Sequence, residues 1–525
     1  MRNAHEVEKI RIAERALMAQ LPPGTLMQRA AAGLASICAG LVGKVYGARV
    51  VVLAGSGDNG GDALHAATRL ARRGAAVLAV AAGGRVHQEG AAALRAAGGR
   101  LTDAGDPAAA AAIDAADLVI DGLLGIGGRG GLREPYAALA GLAARSPAVV
   151  VATDLPSGVD ADTGVVDGAA VRADVTVTFG TWKPGLLIDP GATHAGVVEL
   201  IDIGLGSYLE SPAVEGMQAA DVAALLPQPQ RDSDKYRRGV VGILAGSDRF
   251  TGAAALAVGG ALRGGAGMIR LVSAESAVAV VRQRWPETVI TVTERELRAG
   301  EEIKAAGRVQ AWVAGPGMGT DEQARERLAA VLATDVPVLV DADGLTLVAA
   351  DRGMLARSAP TLLTPHAGEL ARLLGTDPVD VEARRLEHAR MAAAELGATV
   401  LVKGSTTVVA AADGDSAAGP ALVNPTGTSW LATAGTGDVL SGLAGSLLAQ
   451  GLGPREAAGV AAYLHGLAAR LAAAGQGAEP GLAAGASRRA GGPGAAGPAD
   501  APIGAADVIA ALPAAIRSAR LNSLP

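Results

Sequence analysis

The stretch "VVVLAGSGDNGGDALHAATRLARRG", from Val50 to Gly74, reads as a strand, a glycine loop and a helix. Branched apolar residues come first, then four glycines within seven positions, then apolar residues at helical spacing. The same rhythm continues on both sides of it. "AAVLAVAAGG", "ADLVIDGLLG", "PAVVVATDLPSG" and "ADVTVTFG" are short strand-like runs separated by alanine-rich helical stretches. Strands alternating with helices predict an α/β fold with a parallel sheet covered on both faces. Ligands in such sheets lie beyond the carboxyl ends of strands, so Gly55–Asp62, Asp121–Gly131, Asp154–Gly158 and Phe179–Gly185 are expected to line one crevice.

The pattern lapses around Tyr208 to Glu215 and then restarts, which predicts two domains, 1–211 and 217–525. The second repeats the α/β rhythm with "GVVGILAGS", "RVQAWVAGPGMG", "VPVLVDADG", "APTLLTPHAGE" and "ATVLVKGSTTVVAA". Both halves leave a strand through "LAGS", but the residues beyond it differ too much for an internal repeat. Residues 476–502 are Gly, Pro and Ala with almost no large apolar residue, and are expected to be a disordered insert. The last helix, "IGAADVIAALPAAI", is expected to dock back on the second domain.

A length of 525 residues accommodates two such domains. The net charge of -6 and an aromatic content of 2% argue against a general nucleic-acid binder. The most apolar candidate for a membrane span, near Ala253–Val272, is cut by Arg263 and Arg270, so no span is expected. The charged start, "MRNAHEVEKIRIAERALMAQ", does not read as a secretory signal, and a single cysteine, Cys38, suits a reducing cytoplasm. Small molecules and further copies of the chain, in a homo-oligomer, are the expected partners.

Two segments carry chemistry in the second half. In "NPTGTSWLATAGTGDVLSGLAGSLLAQG", Asn424 to Gly451, a Gly-Thr-Gly turn opens a helix whose first residue, on sequence, is Asp438. Unpaired amides and the helix dipole at such a start favour an anion, such as a phosphoryl group in transfer. The plainer reading makes Asp438 an ordinary N-cap. Upstream, "LVKGSTTVV", Leu401 to Val409, is a hairpin that could lay Lys403, Ser405 and Thr406 against phosphates, or be structural only.

"GSDRFTGAA" (Gly246–Ala254), "GPGMG" (Gly315–Gly319), "LVDADGL" (Leu339–Leu345), "LTPHAGEL" (Leu363–Leu370), "LVKGSTT" (Leu401–Thr407) and "TAGTGDVLSG" (Thr433–Gly442), in that order, resemble the ribokinase-like ADP-dependent NAD(P)H-hydrate dehydratases. The resemblance covers nearly all of the second half. It implies a ribokinase-like α/β domain whose substrate is a reduced nicotinamide cofactor with water added across a ring double bond. Asp438 would act as base on the ring hydroxyl while ADP donates its terminal phosphoryl, and the phosphate ester would then eliminate. It further implies that Lys403, Gly404, Ser405, Thr406, Thr407 and Gly437 hold the adenine nucleotide, and that Ala253, Gly317, His366 and Asp438 face the hydrated cofactor. Mg2+ would accompany the nucleotide, with Asp341 and Asp343 reaching it through water rather than directly.

In the first half, Gly55-Ser56-Gly57-Asp58-Asn59-Gly60 has dinucleotide-turn spacing, but two polar residues and a further Gly-Asp intrude before the helix, and by itself it reads as a plain Rossmann turn. Joined to "VIDGLLGIGGRGGLREPY" (Val119–Tyr136), "ATDLPSGVDADTG" (Ala152–Gly164) and "TFGTWKPGL" (Thr178–Leu186), it resembles the NAD(P)H-hydrate epimerases, a Rossmann-like domain, over roughly Ala4 to Gly206. That resemblance implies a substrate site formed by Asp58, Asn59, Gly60, Gly61, Asp62, Gly125, Ile126, Gly127, Gly128, Arg129, Gly130, Gly131 and Asp154. K+ would be held by Asn59, Asp121 and Ser157, whose oxygens suit a large, weakly hydrated cation. Asp154 is the candidate acid/base, with Lys183 as a second group. The plainer readings are a turn at Asp154 and a loop without chemistry at Gly127–Gly131.

Asp58, Ala63, Phe250 and Thr428-Ser429 depart from the family pattern, which more often has asparagine, glycine, tyrosine and asparagine there. None removes a candidate catalytic group, but Asp58 adds negative charge beside an anion site. Two other readings remain open on sequence: a small-molecule kinase of the same superfamily, and a first half that only binds dinucleotides.

Overall fold

A computed structural model describes residues 1–83, 85–293, 297–412, 419–475 and 500–521. Most of the insert expected at 476–502 therefore lies outside the described residues. The chain divides between Val214 and Glu215 into two compact units.

The first unit is built on a parallel sheet. Its strands lie side by side in the order Arg100–Asp103, Ala76–Ala81, Arg49–Ala54, Leu118–Gly122, Val149–Thr153, Val175–Phe179, Val197–Ile201. Val50, Val51, Val52 and Leu53 are buried on alternating faces, as a central strand covered on both sides requires. The order reverses between Arg49–Ala54 and Leu118–Gly122. The connections leaving these two strands diverge there and open a crevice at their carboxyl ends.

One expectation is corrected here. The helix after the first of these strands begins at Asp58, so Asn59, Gly60, Gly61 and Asp62 belong to its opening turns and not to a loop. The paired glycines have a packing cause. A side chain at Gly60 would strike the Gly55 carbonyl, and one at Gly61 would meet the His87 ring and the Met27 methyl at about 3.0 Å. The helix can thus press its first turn onto the strand exit.

Thr25–Val42 is the one described helix long and apolar enough, by length and composition, to cross a membrane. Its Ala30, Ala31, Leu34, Ala35 and Cys38 are buried in the core of the first unit.

In the second unit, Ala421–Asn424, Thr407–Ala410, Thr399–Val402, Thr361–Leu363, Val338–Val340, Ala311–Ala314, Val240–Leu244, Met268–Ser273 and Val289–Val292 lie in that spatial order. The sheet is parallel except for the hairpin Thr399–Val402 to Thr407–Ala410 and its neighbour Ala421–Asn424. Here the order reverses between Val240–Leu244 and Ala311–Ala314.

Two helices cover that switch point in backbone contact. A Cβ on Gly442 of Thr436–Ala449 would strike the Ala257 carbonyl, and one on Gly260 of Thr251–Arg263 would strike the Val439 carbonyl. Val439, Leu440, Leu443 and Leu447 fill the core below, each such side chain contributing about 1.5–3 kcal/mol on burial. The C-terminal helix Ala505–Leu521 joins the same core through Val508, Ile509 and Leu512, as its periodicity implied.

Candidate active sites

In the first unit, the crevice is a cleft of about 760 Å3 whose walls include Arg11, Glu14, Asp58, Asn59, Asp62, Gly125–Gly128 and Asp154. Asp154 leaves the strand Val149–Thr153 with φ of 65°, in the left-handed region. A non-glycine residue held there signals a main chain constrained by its surroundings. Its carboxylate is gripped from one side. Oδ1 accepts from the Lys183 ammonium, from the Phe179 N–H at 3.1 Å and from the Thr178 hydroxyl at 3.2 Å.

Lys183 is 1% exposed, and besides Asp154 it donates to Thr178 Oγ1 at 2.9 Å and to the Phe179 carbonyl at 3.0 Å. All three ammonium protons are engaged, and one of them holds the Asp154 carboxylate. The Asp154 side chain reaches across to the next strand.

Asn59, Asp121 and Ser157 meet around Leu124. Ser157 Oγ donates to Asp121 Oδ1 at 2.7 Å and approaches the Leu124 carbonyl at 3.0 Å, where Asn59 Nδ2 also donates at 3.0 Å. Asp121 further accepts the Ser157 N–H at 2.9 Å and the Leu123 N–H at 3.1 Å. Burial pushes its carboxyl up to about 6 against these hydrogen bonds. Carboxylate, hydroxyl and carbonyl oxygens are the donor types that a monovalent cation takes, while the Asn59 amide meets them through its nitrogen.

The glycine loop divides. Gly125, Ile126, Gly127 and Gly128 line the cleft, whereas Arg129, Gly130 and Gly131 do not. Gly131 lies against the Asp167 carbonyl.

Glu14 carries no motif, and sequence reasoning missed it. The helix Val7–Met18 buries Val7, Ile10, Ala13 and Leu17, and Arg11 and Glu14, beside that stripe, line the cleft. Burial raises the Glu14 carboxyl, and so does nearby Asp154.

In the second unit, the helix Thr436–Ala449 starts two residues before Asp438, and Gly435, at φ 87°, is the N-cap without a capping side chain. This corrects both the helix start and the N-cap reading. Burial pushes the Asp438 carboxyl up to about 7, with Asp341 adding to the rise and Lys403 opposing it. His465, fully inside, anchors the first turn, its Nε2 lying 2.9 Å from the Thr436 carbonyl. Burial lowers that imidazole to about 4, so it stays neutral. A histidine thirty residues downstream in an alanine-rich helix gave no sign of this.

Lys403, at the hairpin, reaches Asp341 Oδ1 at 2.7 Å and lies 3.7 Å from Glu369 Oε2. Burial alone would lower its ammonium, but Asp341 and Glu369 hold it above the usual lysine range. The other oxygen of Asp341 accepts from the Ser441 hydroxyl at 2.6 Å. A side chain on Gly437 would lie in ordinary contact, 3.5 Å, with Lys403 Nζ, which places the helix start beside that cation. His366 sits beside Lys403 through a parallel bridge and caps the helix Ala367–Leu374, its Nδ1 accepting the Gly368 N–H at 3.0 Å.

Gly317, at φ 59°, packs against Phe250 and Ala253, and Gly319 N–H donates to Asp343 Oδ2 at 2.9 Å. On the hairpin, Gly404 and Ser405 are exposed and Thr407 half-buried, while Thr406 is buried at 1% exposure. Asp438, Gly437, Lys403, His366, Gly317 and Ala253 thus all stand at the carboxyl edge of one sheet. Among the described residues, no three His, Cys, Asp or Glu side chains gather as a metal site. Both oxygens of Asp341 are engaged, which suits a magnesium ion carried by the nucleotide's phosphates rather than by this carboxylate.

Residues 241–488 match the family model described as NAD(P)H-hydrate dehydratase, and residues 23–185 match YjeF-related protein N-terminus. A "Bifunctional NAD(P)H-hydrate repair enzyme Nnr" from Mycobacterium leprae is 49% identical over 90% of this chain and 95% of its own length. A protein of the same description from Moorella thermoacetica is 35% identical over 82% of this chain and 84% of its own. Among solved structures, an ADP/ATP-dependent NAD(P)H-hydrate dehydratase from Bacillus subtilis, co-crystallised with ATP and Mg2+, is 28% identical, with a TM-score of 0.45 over 57% of this chain and 97% of its own.

Proposed function

The chain belongs to the bifunctional NAD(P)H-hydrate repair enzymes, and from that premise we propose how its two sites divide the work. The first unit interconverts the R and S hydrates of NADH and NADPH. The second dehydrates the S form at the expense of ADP, giving NAD(P)H, AMP and phosphate. A kinase would account for the second matched half alone, and a binding module for the first alone.

The observation that carries the dehydratase assignment is Asp438. Its carboxyl stands in the first turn of a helix whose leading N–H groups face the site, beside Lys403 and with no hydrogen-bonding partner among the described residues. A carboxyl pushed up to about 7 is matched to taking a hydroxyl proton near neutral pH. As that proton leaves, the ring oxygen attacks the terminal phosphoryl of ADP. Lys403 and the amides of Thr436 and Gly437 stabilise the charge on the phosphoryl oxygens. AMP departs, the ring nitrogen's electron pair expels phosphate to leave a carbon–nitrogen double bond, and loss of a proton from the neighbouring ring carbon restores the dihydropyridine. Gly404, Ser405, Thr406 and Thr407 hold the nucleotide, with the exposed Gly404 and Ser405 closest to solvent. Ala253, Gly317 and His366 form the wall for the nicotinamide ring. Mg2+, arriving with ADP, supplies charge neutralisation at the phosphates.

In the first unit, Asp154 is the base, aimed by Lys183, and Asp58, Asn59, Gly60, Gly61, Asp62 and Gly125–Gly128 hold the substrate. Asn59, Asp121 and Ser157 would hold K+, which when bound supplies fixed positive charge at strand exits crowded with carboxylates. The buried, lone Cys38 supports a reducing, cytoplasmic setting. We retain the homo-oligomer as our reading, and light scattering of the purified chain tests it.

The deciding experiment supplies separate R and S hydrates with ADP or ATP and follows the return of dihydronicotinamide absorbance. Asp438→Asn should abolish that return and leave epimer exchange intact. Loss of both activities in a folded variant would contradict separate sites.

A further inference from the structure

Epimerisation at the hydrated carbon makes two opposite demands on protons. That carbon bears both the hydroxyl and the ring nitrogen, so it inverts when hydroxide leaves with a proton and water returns from the other face. One group must deliver a proton and another must take one. Asp154 suits the second task, since an ammonium, an N–H and a hydroxyl already converge as donors on its Oδ1. Lys183 has no proton to spare.

The cleft contains a carboxyl in the opposite condition. Asp62 lines it from the opening turns of the helix Asp58–Arg72, and its Oδ1 is shut off from solvent with no hydrogen-bonding partner among the described residues. A bare carboxylate oxygen in that position would lose its hydration without compensation, whereas the acid form carries no such penalty. Burial raises the Asp62 carboxyl well above the ordinary range, and Asp154, Asp58 and Glu14 raise it further. A shielded carboxyl without a donor beside one ringed by donors is the arrangement that an acid and a base need.

Their origins also separate them. Asp62 follows the strand Arg49–Ala54 and Asp154 follows Val149–Thr153, with Leu118–Gly122 between. Two strand spacings put these exits about 10 Å apart at the main chain, and both carboxyls line the cleft between them.

We propose that Asp62 is the acid of the epimerase, working across the ring from Asp154; this deepens, and rests on, the assignment of epimerase activity to the first unit. The Asp62 carboxyl gives its proton to the ring hydroxyl. The carbon–oxygen bond breaks, water departs, and the nitrogen electron pair forms a carbon–nitrogen double bond bearing positive charge. Water adds to the opposite face and its proton passes to Asp154. The pair then stands in the reversed protonation state, ready for the opposite epimer or for resetting by solvent.

The test uses the full chain with potassium present. In wild type, each inversion should place one solvent oxygen on the ring carbon, read by mass spectrometry in H2(18)O. Inversion without label would overturn the proposal whatever the variants do. Asp62→Asn should slow epimer exchange by at least about 100-fold, the lower range for a lost acid, while ADP-dependent dehydration of the S hydrate proceeds at the wild-type rate and reports an intact chain. Asp62→Glu should restore part of the exchange. Near-normal exchange in Asp62→Asn, or loss of exchange in Glu14→Gln instead, would remove Asp62 from the role. A wild-type chain that does not exchange epimers at all defeats the functional reading itself, which separates the two failures.

Discussion

The acid limb of dehydration should belong to Asp438 and respond to its neighbour Asp341. Burial is the main cause holding the Asp438 carboxyl near 7, Asp341 the next, and Lys403 pulls the other way. The base works ionised, so kcat/KM for the S hydrate should rise as pH rises through 7 and level off above it. A group with that midpoint is roughly 10% ionised at pH 6 and about 90% at pH 8, which gives an increase of about tenfold. Asp341→Asn removes the adjacent negative charge and frees the Lys403 ammonium, now 2.7 Å from Asp341, to act on Asp438. Both changes favour the carboxylate, so the midpoint should move below 7. The assay is dihydronicotinamide absorbance under saturating ADP from pH 5.5 to 8.5, with epimer exchange in the same samples as an internal reference. A flat profile between pH 6 and 8, or a midpoint unmoved in the variant, would refute this account of the base.

Lys183→Met would strand the Asp154 carboxylate in a protein interior. Its first unit should lose about 3–5 kcal/mol in denaturant unfolding, with epimer exchange lost before dehydration. Gly442→Ala drives a methyl into the Ala257 carbonyl; thermal unfolding should show about 1–3 kcal/mol of destabilisation, together with a fall in dehydratase kcat that epimerase activity does not share. Replacing Na+ by K+ at constant ionic strength should raise the unfolding midpoint of the first unit, and Ser157→Ala should erase the difference.

Much of the architecture was visible because parallel α/β sheets announce themselves. Val50 to Leu53 had to be buried on both faces, and the glycines after them marked the strand exit. Both candidate aspartates stood out because they follow strands or open helices within motifs, and the structure brings Asp154 beside Lys183 and Asp438 near Lys403. Boundaries were less legible: Asp58 looked like loop because Gly60 and Gly61 weaken any helical pattern, and only the collisions awaiting their side chains explain them. Asp438 seemed a cap because the true cap, Gly435, has no side chain to announce itself. Contacts between distant segments left no local trace. Nothing near Lys183 says that its ammonium closes on Asp154, nothing near His465 says that it braces Thr436, and Glu14 sits on the same stripe as the buried Val7 and Ile10, where the sequence pattern alone reads as packing.

Backbone contact at Gly260 and Gly442 has a consequence for turnover. Helices touching through peptide groups have no flexible side chains between them to absorb sliding, so Ala253 and Asp438 form a single stiff wall before any ligand arrives. The aim of the base is settled at the time of folding. Whatever closes over the nucleotide must come from elsewhere, and the exposed tip at Gly404 and Ser405 is the natural moving part. A spin label at Ser405 should therefore report motion on ADP addition, while labels on the solvent sides of the two paired helices keep their spacing.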